Sequence, residues 1–246
     1  MTITLYDIPS AAPSNAWSPN TFKARTALLF KGVPFKTEWI EYPDIEGKMK
    51  EIGAAATGHW KDGRPQWTLP VIKDDSTGKV VADSLAIAAY LDETYPNLPT
   101  LLPFGASAPA AIYEDYFTST AFSPVLLLLL AESNGKLNPA SEAYFRRTRE
   151  ASYGMKIEEF APPGPKREAA WAGFKAGLTT LSAKLGSKPF FFGDTLSYAD
   201  LELVSYLLWM KVVVGPENPE WKAVESWDGG KWAKLLALTE KYQVVA

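Results

Sequence analysis

Residues Trp67-Thr68-Leu69-Pro70-Val71-Ile72, with Val80-Val81-Ala82-Asp83-Ser84 running straight into Leu85-Ala86-Ile87-Ala88-Ala89-Tyr90-Leu91, decide how this chain reads. The first piece is a turn into a strand with a proline at its mouth. Proline brings no N–H to a ladder, so at a strand's first residue it caps an edge or marks a cis bond. The second piece is a strand ending on an Asp-Ser pair that caps a helix. Such side chains satisfy orphan N–H groups, and the helix dipole then favours an anion held there. An extended backbone with free polar groups beside this helix start makes a site for a peptide-like ligand carrying a carboxylate.

Upstream, Ile3 and Leu5 alternate with Thr2, Thr4 and Tyr6 as a first strand, and a Pro/Ser/Ala/Asn-rich loop runs from Ile8 to Pro19. Thr21 to Lys31 reads as a helix stopped by Gly32-Val33-Pro34, Phe35 to Tyr42 as a second strand, and Asp44 to Ala56 as a helix. Gly58 to Pro65 is a polar loop. Strands follow at Val71–Lys73 and Lys79–Ala82, joined by the turn Asp74-Asp75-Ser76-Thr77-Gly78, and the helix Leu85–Thr94 ends at Tyr95-Pro96. This βαβαββα order needs a parallel βαβ unit and then a hairpin in one sheet.

The three prolines between Asn97 and Pro109 mark a linker, and beyond it strand patterns mostly vanish. Helical patterns cover Ala110–Thr120, Pro124–Asn134, Pro139–Ile157, Lys166–Leu185, Tyr198–Val213 and Gly230–Tyr242. The expected organisation is an α/β domain over 1–97, a linker over 98–109 and an all-helical domain over 110–246.

Composition narrows the function. At 246 residues and 47% hydrophobic the chain can fill a core, and a net charge of −3 leaves no basic footprint for nucleic acid. With no cysteine there is no disulfide, enzyme thiolate or Cys-bound metal, and a single histidine, His59, leaves little for a metal site. The N-terminus lacks a basic region followed by an apolar run, and the most apolar run, Val125 to Ala131, is far short of the ~20 residues of a membrane helix. A soluble, cytoplasmic protein without a membrane partner is expected.

Leu69-Pro70-Val71-Ile72, Asp83-Ser84 with Ala86 to Asp92 and Tyr95-Pro96, and Gly193-Asp194 with Ser197-Tyr198-Ala199-Asp200-Leu201 resemble the cytosolic glutathione transferases. Trp17-Ser18-Pro19-Asn20-Thr21, with Trp60 to Ile72, is most similar to the fungal FuA type, relatives of bacterial β-etherases. The resemblance spans the chain. It implies a thioredoxin-like first domain, an all-helical second one, glutathione as cosubstrate and a homodimer.

Glutathione's thiol, with a pKa of ~8.5, is mostly protonated at neutral pH. A hydroxyl aimed at the sulfur from a helix N-terminus stabilises the attacking thiolate. The resemblance puts that donor after the first strand, where Ser18 is the first choice and Asn20 and Thr21 the alternatives. Ser18 and Asn20 also read as plain helix caps with Pro19 near N1. Tyr6 is a rival whose alternating position suits a core or pocket-wall role.

By the same resemblance Leu69 offers its backbone to the cysteinyl part, with Pro70 cis. Asp83 takes the γ-glutamyl ammonium, and Ser84 with the helix N-terminus takes its carboxylate. His59, Lys61 and Arg64 are the cations available for the glycine carboxylate. Ser197 and Asp200, in S-x-x-D spacing, form a capping-box variant with a structural role.

The second substrate is expected between the domains. Tyr113, Tyr116 and Phe117 share a helix face, Thr120 and Phe122 lie beyond, and Trp17 and Trp209 are available to the wall. Such a stripe also reads as plain core. The ligands implied are phenolic or aryl-ether aromatics. Two functions stay open: conjugation or ether cleavage by glutathione, and a ligandin-type protein that sequesters aromatics. The missing cysteine argues against thiol-transferase chemistry.

Overall fold

The computed structural model describes residues 2–245. Strands β1 (Ile3–Asp7), β2 (Phe35–Trp39), β5 (Val71–Asp74) and β6 (Val80–Ala82) form a sheet in the order β2-β1-β5-β6. β1 and β2 run parallel across helix α1 (Pro19–Lys31), whereas β5 is antiparallel to both β1 and β6. Helix α3 (Ser84–Thr94) closes this thioredoxin-like domain. Arg25 of α1 pairs with Asp7 of β1 at 2.8 Å, both fully buried, and lies between the rings of Phe35 and Trp39.

Three features of the first domain depart from the reading of the sequence. The second strand stops at Trp39, because Pro43 has no N–H for a ladder and Tyr42–Asp44 turns instead as a 3-10 helix. Helix α2 spans only Ile45–Glu51, ended at Gly53, which adopts a φ of 76°. The polar loop contains a two-stranded ribbon, β3 (Gly58–His59) against β4 (Pro65–Gln66), too short to show any alternation.

The second domain is helical: α4 (Ser107–Phe117), α5 (Leu126–Asn134), α6 (Pro139–Tyr153), α7 (Pro165–Leu185), α8 (Tyr198–Val214) and α9 (Pro219–Leu238). Asn218 caps α9 by accepting from the Glu220 N–H at 2.8 Å, and that helix kinks over Trp227–Gly230. α8 is buried along most of its length and packs on α1, which joins the domains. Its start is the expected capping box: Asp200 Oδ2 accepts from the Ser197 N–H and hydroxyl at 2.9 and 2.8 Å.

A π-helical turn (Thr118–Phe122) and a 3-10 turn (Ser123–Val125) link α4 to α5. The combined run Ser107–Asn134 is long and apolar enough by composition to cross a bilayer, unlike the seven-residue run picked out from sequence. It packs against α7 closely enough that a Cβ at Gly177 would lie 2.5 Å from the Thr120 carbonyl. Tyr113, Phe117, Ala121, Phe122, Val125, Leu128 and Leu129 of this run are buried in the core.

Candidate active site

The Leu69–Pro70 bond is cis. The Pro70 carbonyl accepts from the Asp83 N–H at 3.3 Å, which holds the mouth of β5 against the start of α3. Neither the N–H nor the C=O of Leu69 bonds to another backbone group among the described residues. Asp83 has a φ of 83°, a conformation that costs a non-glycine residue ~1–3 kcal/mol and clusters at functional sites. One of its carboxylate oxygens, Oδ1, accepts from the N–H groups of Leu85 and Ala86, each at 3.0 Å. The second oxygen has no bond among the described residues.

Two adjoining clefts flank this backbone and share Asn20, Gln66, Thr68 and Leu69. One, of about 350 Å³, also holds Pro70, Asp83, Ser84, Lys23 and Glu114. Lys23 of α1 and Glu114 of α4 form an ion pair of 2.5 Å there, Lys23 being 4% exposed and Glu114 26%. Burial pulls the Lys23 ammonium down, but Tyr206, Glu114 and Glu202 outweigh it and hold it above its ordinary value. Burial, and then the Glu114 carboxylate, push buried Glu202 up to about 10, so it is neutral at pH 7. Lys23, Asp83 and Glu114 therefore leave this cleft one negative charge in excess, suited to an ammonium.

The other cleft, of about 160 Å³, holds Ser18, Tyr42, Trp60, Trp67, Tyr144 and Arg149. Ser18 stands at the N-cap of α1, with Pro19 next, yet its side chain makes no cap hydrogen bond. Its hydroxyl is thus not engaged by the helix start. The Tyr42 and Tyr144 rings stack at 5.7 Å and 9°. Across the domain boundary the Tyr42 N–H donates to Ser141 Oγ at 2.9 Å, and Ser141 and Asn138 both donate to Glu41.

The family model for the glutathione S-transferase C-terminal domain matches residues 108–242, and that for the N-terminal domain matches residues 17–94. The chain belongs to the glutathione S-transferase family. It is 34% identical over 220 residues to the glutathione S-transferase-like protein ustS of Aspergillus flavus, covering 83% of this chain and 78% of that protein. Similar solved structures include fungal ones. The glutathione S-transferase CsGST63524 of Ceriporiopsis subvermispora, in complex with glutathione, is 50% identical with a TM-score of 0.95, over 99% of this chain and 98% of that one. Glutathione transferase GSTFuA3 of Phanerochaete chrysosporium is 41% identical with a TM-score of 0.93, over 100% and 99%. The FuA-type resemblance is borne out, and glutathione is this transferase's cosubstrate.

The transferase gathers Ser18, Asn20, Leu69, Pro70, Asp83 and Ser84 along the two clefts. Thr21 is not with them: it is fully buried and its hydroxyl donates to the Ser18 carbonyl at 3.2 Å. Tyr6 is buried in the core. The first turn of α3 is less open than the motif suggested, because Asp83 already occupies the N–H groups of Leu85 and Ala86. The Ser84 N–H bonds to no other backbone group among the described residues.

None of the three expected loop cations lines either cleft. His59 is exposed on β3, Lys61 donates to the Ser152 carbonyl at 3.1 Å, and Arg64 pairs with Asp62 at 2.8 Å.

The expected aromatic wall is also elsewhere. Tyr113 and Phe117 are buried, with Phe117 against Phe122 and Tyr206 and Tyr113 against Phe191. Tyr116 lies under Lys184, and the Thr120 carbonyl faces α7. Trp209 is core, its indole N–H donating to Ser133 Oγ at 2.8 Å. Trp17 supports the wall from behind, its ring 6.3 Å from Tyr42 and 6.2 Å from Phe145. The helical periodicity of Tyr113, Tyr116 and Phe117 announced burial but not the partner. Lys23, Glu114, Tyr42, Tyr144 and Arg149 carried no motif. Among the described residues no group of three or more His, Asp or Glu is suited to hold a metal.

Proposed function

We propose that this transferase uses the Ser18 hydroxyl to stabilise glutathione as a thiolate, which attacks hydrophobic aromatic electrophiles or activated aryl ethers. The observation carrying this reading is a buried Ser18 at the N-terminus of α1 whose hydroxyl makes no cap bond, in the cleft that includes the Leu69 backbone. A hydroxyl donor and the positive helix end both favour the anionic sulfur. The sulfur forms a bond to the electrophilic carbon, the halide or aryloxide departs with its electron pair, and the thiol proton goes to solvent. Asn20, which lines both clefts, is the alternate donor.

In this reading the N–H and C=O of Leu69 pair with the cysteinyl backbone. The free oxygen of Asp83, helped by Glu114, takes the γ-glutamyl ammonium, and Ser84 with Lys23 takes its carboxylate. The second substrate lies among Tyr42, Trp60, Trp67 and Tyr144. A homodimer in the cytoplasm, as the family implies, belongs to the same proposal.

The aromatic lining also supports a ligandin reading, in which aromatics are sequestered without turnover. Conjugation of a chlorinated nitroaromatic and thiolysis of an aryl-ether model, beside calorimetric glutathione binding, separate the two. A rate lost in Ser18→Ala with binding retained supports the enzyme. Binding without wild-type turnover on any electrophile supports the ligandin.

A further inference from the structure

Arg149 stands out among the arginines of this cleft region. Its neighbour Arg146 is surrounded by Glu142, Glu150 and Glu158. Arg149 pairs with no carboxylate among the described residues, and its hydrogen bond, to Thr148 Oγ1, is long at 3.4 Å. The guanidinium lies 4.5 Å over the Phe145 ring and faces the hydroxyl of Tyr42. Glu46, the acid on the same cleft, is engaged by Lys50 at 2.6 Å. The result is a half-buried cation with no counter-ion in an aromatic-walled cleft.

A partly desolvated charge is stabilised by an anion brought to it, and arginine's planar fork matches a carboxylate in two hydrogen bonds. Burial pushes the Tyr42 phenol up to about 12 despite the nearby guanidinium, so its hydroxyl stays a donor at neutral pH. We propose that Arg149 and the Tyr42 hydroxyl form a carboxylate-receiving end of this cleft, and that the second substrate is a planar aromatic acid. Its ring lies among Tyr42, Tyr144 and the two tryptophans, and its carboxylate meets the guanidinium. Aromatic carboxylic acids are ionised at pH 7, whereas simple phenols, with pKa values near ~10, are not. This inference rests on reading the aromatic cleft as the second-substrate site. The glycine carboxylate of glutathione is a rival source of the same anion, so the test is run with glutathione already bound.

The probes are cinnamate and its neutral methyl ester. Their dissociation constants are measured by calorimetry on the glutathione-saturated protein, together with the affinity for glutathione itself. In the wild type the acid binds more tightly than the ester. In Arg149→Gln the acid-over-ester preference falls about ten-fold or more, the loss expected for a hydrogen bond between charged groups. Arg149→Lys keeps the charge without the fork and loses part of the preference, which decides the matter if Arg149→Gln does not fold. Lys234→Gln, on the exposed side of α9 and away from the cleft, removes the same net charge and leaves the preference within about two-fold.

The proposal is overturned if the wild type prefers the ester, or if Arg149→Gln leaves the preference unchanged. It is equally overturned if Lys234→Gln lowers the preference as much, or if only glutathione affinity falls, since the guanidinium then serves the tripeptide. If the ester binds but the acid holds no advantage, the cleft reading survives and this inference fails. If neither probe binds, both fail.

Discussion

Lys23 Nζ of α1 lies 2.5 Å from Glu114 Oε1 of α4, so an ion pair spans the two domains within the cleft that holds Asp83 and Ser84. Removing one partner of a buried pair strands the other charge, at a cost of several kcal/mol. Glu114 is a quarter exposed, so Glu114→Gln should destabilise by a smaller ~2 kcal/mol, or about 4–8 °C in melting temperature for a chain of this size. Lys23→Met combined with Glu114→Gln should recover part of that loss. Burial raises the Glu114 carboxyl, but Lys23 brings it below its ordinary 4.5. The pair's contribution is therefore full above that value and is lost as pH falls through the depressed one. Thermal melts of the single and double variants between about pH 7 and about pH 3, the latter roughly one unit below the ordinary carboxylate range, check both statements.

In the proposed reading Asp83 has two separable tasks. Asparagine keeps an oxygen for the first turn of α3 and tolerates positive φ, but carries no charge for an ammonium. Asp83→Asn should melt close to the wild type while glutathione affinity falls about ten-fold. Asp83→Ala should lose the same affinity and a further ~1 kcal/mol of stability with the cap. Calorimetry and thermal melts on both variants separate the roles.

Asp74, at the end of β5, gathers donors far from any chemistry: the Ser76 N–H at 2.8 Å, Tyr90 at 2.8 Å and Tyr95 at 2.6 Å. Burial would raise its carboxyl, but the bonds from Ser76, Tyr95 and Tyr90 outweigh that and bring it down to about 2. A depressed carboxylate stabilises the fold above its unfolded value and loses that stability as pH falls towards the folded one. Asp74→Asn should cost ~2 kcal/mol at neutral pH, with the difference from wild type shrinking below about pH 4. Denaturant titrations across that range measure it.

Glu41 positions the aromatic wall without lining the cleft. It accepts from Asn138 at 2.7 Å and from Ser141, and Ser141 in turn receives the Tyr42 N–H. Glu41→Ala should loosen the Tyr42–Tyr144 stack, raising the KM for an aromatic substrate several-fold more than it changes kcat. Glutathione affinity should not follow. Steady-state kinetics with each substrate varied in turn distinguishes this from general destabilisation.

What the sequence disclosed and what it concealed differ in range. The Asp83 cap lies within the local stretch that encodes it, so residue chemistry announced it, whereas for Pro70 that chemistry left an edge cap and a cis bond open and the family resemblance chose cis. The helical second domain was legible from apolar periodicity. The β3–β4 ribbon was not, because two-residue strands have no period, and the Asn218-Pro219 cap of α9 passed unread although it is a helix-start signal. The pairing of Lys23 with Glu114, 91 residues apart, and the stacking of Tyr42 on Tyr144 arise only when α1, α4 and α6 are brought together. A stripe such as Tyr113, Tyr116 and Phe117 shows that a face is covered; tertiary packing decides whether a ligand or another helix covers it.

The central claim concerns the sulfur of bound glutathione, and one titration tests it directly. Thiolate absorbance in the ultraviolet, followed against pH on the glutathione complex, reports the thiol's pKa for wild type and Ser18→Ala. The account predicts a wild-type value well below the ~8.5 of the free thiol. In Ser18→Ala that value should move back towards it, with kcat/KM lower by about 10²-fold and glutathione still bound. An unchanged thiolate titration in Ser18→Ala would contradict the account and pass the role to Asn20.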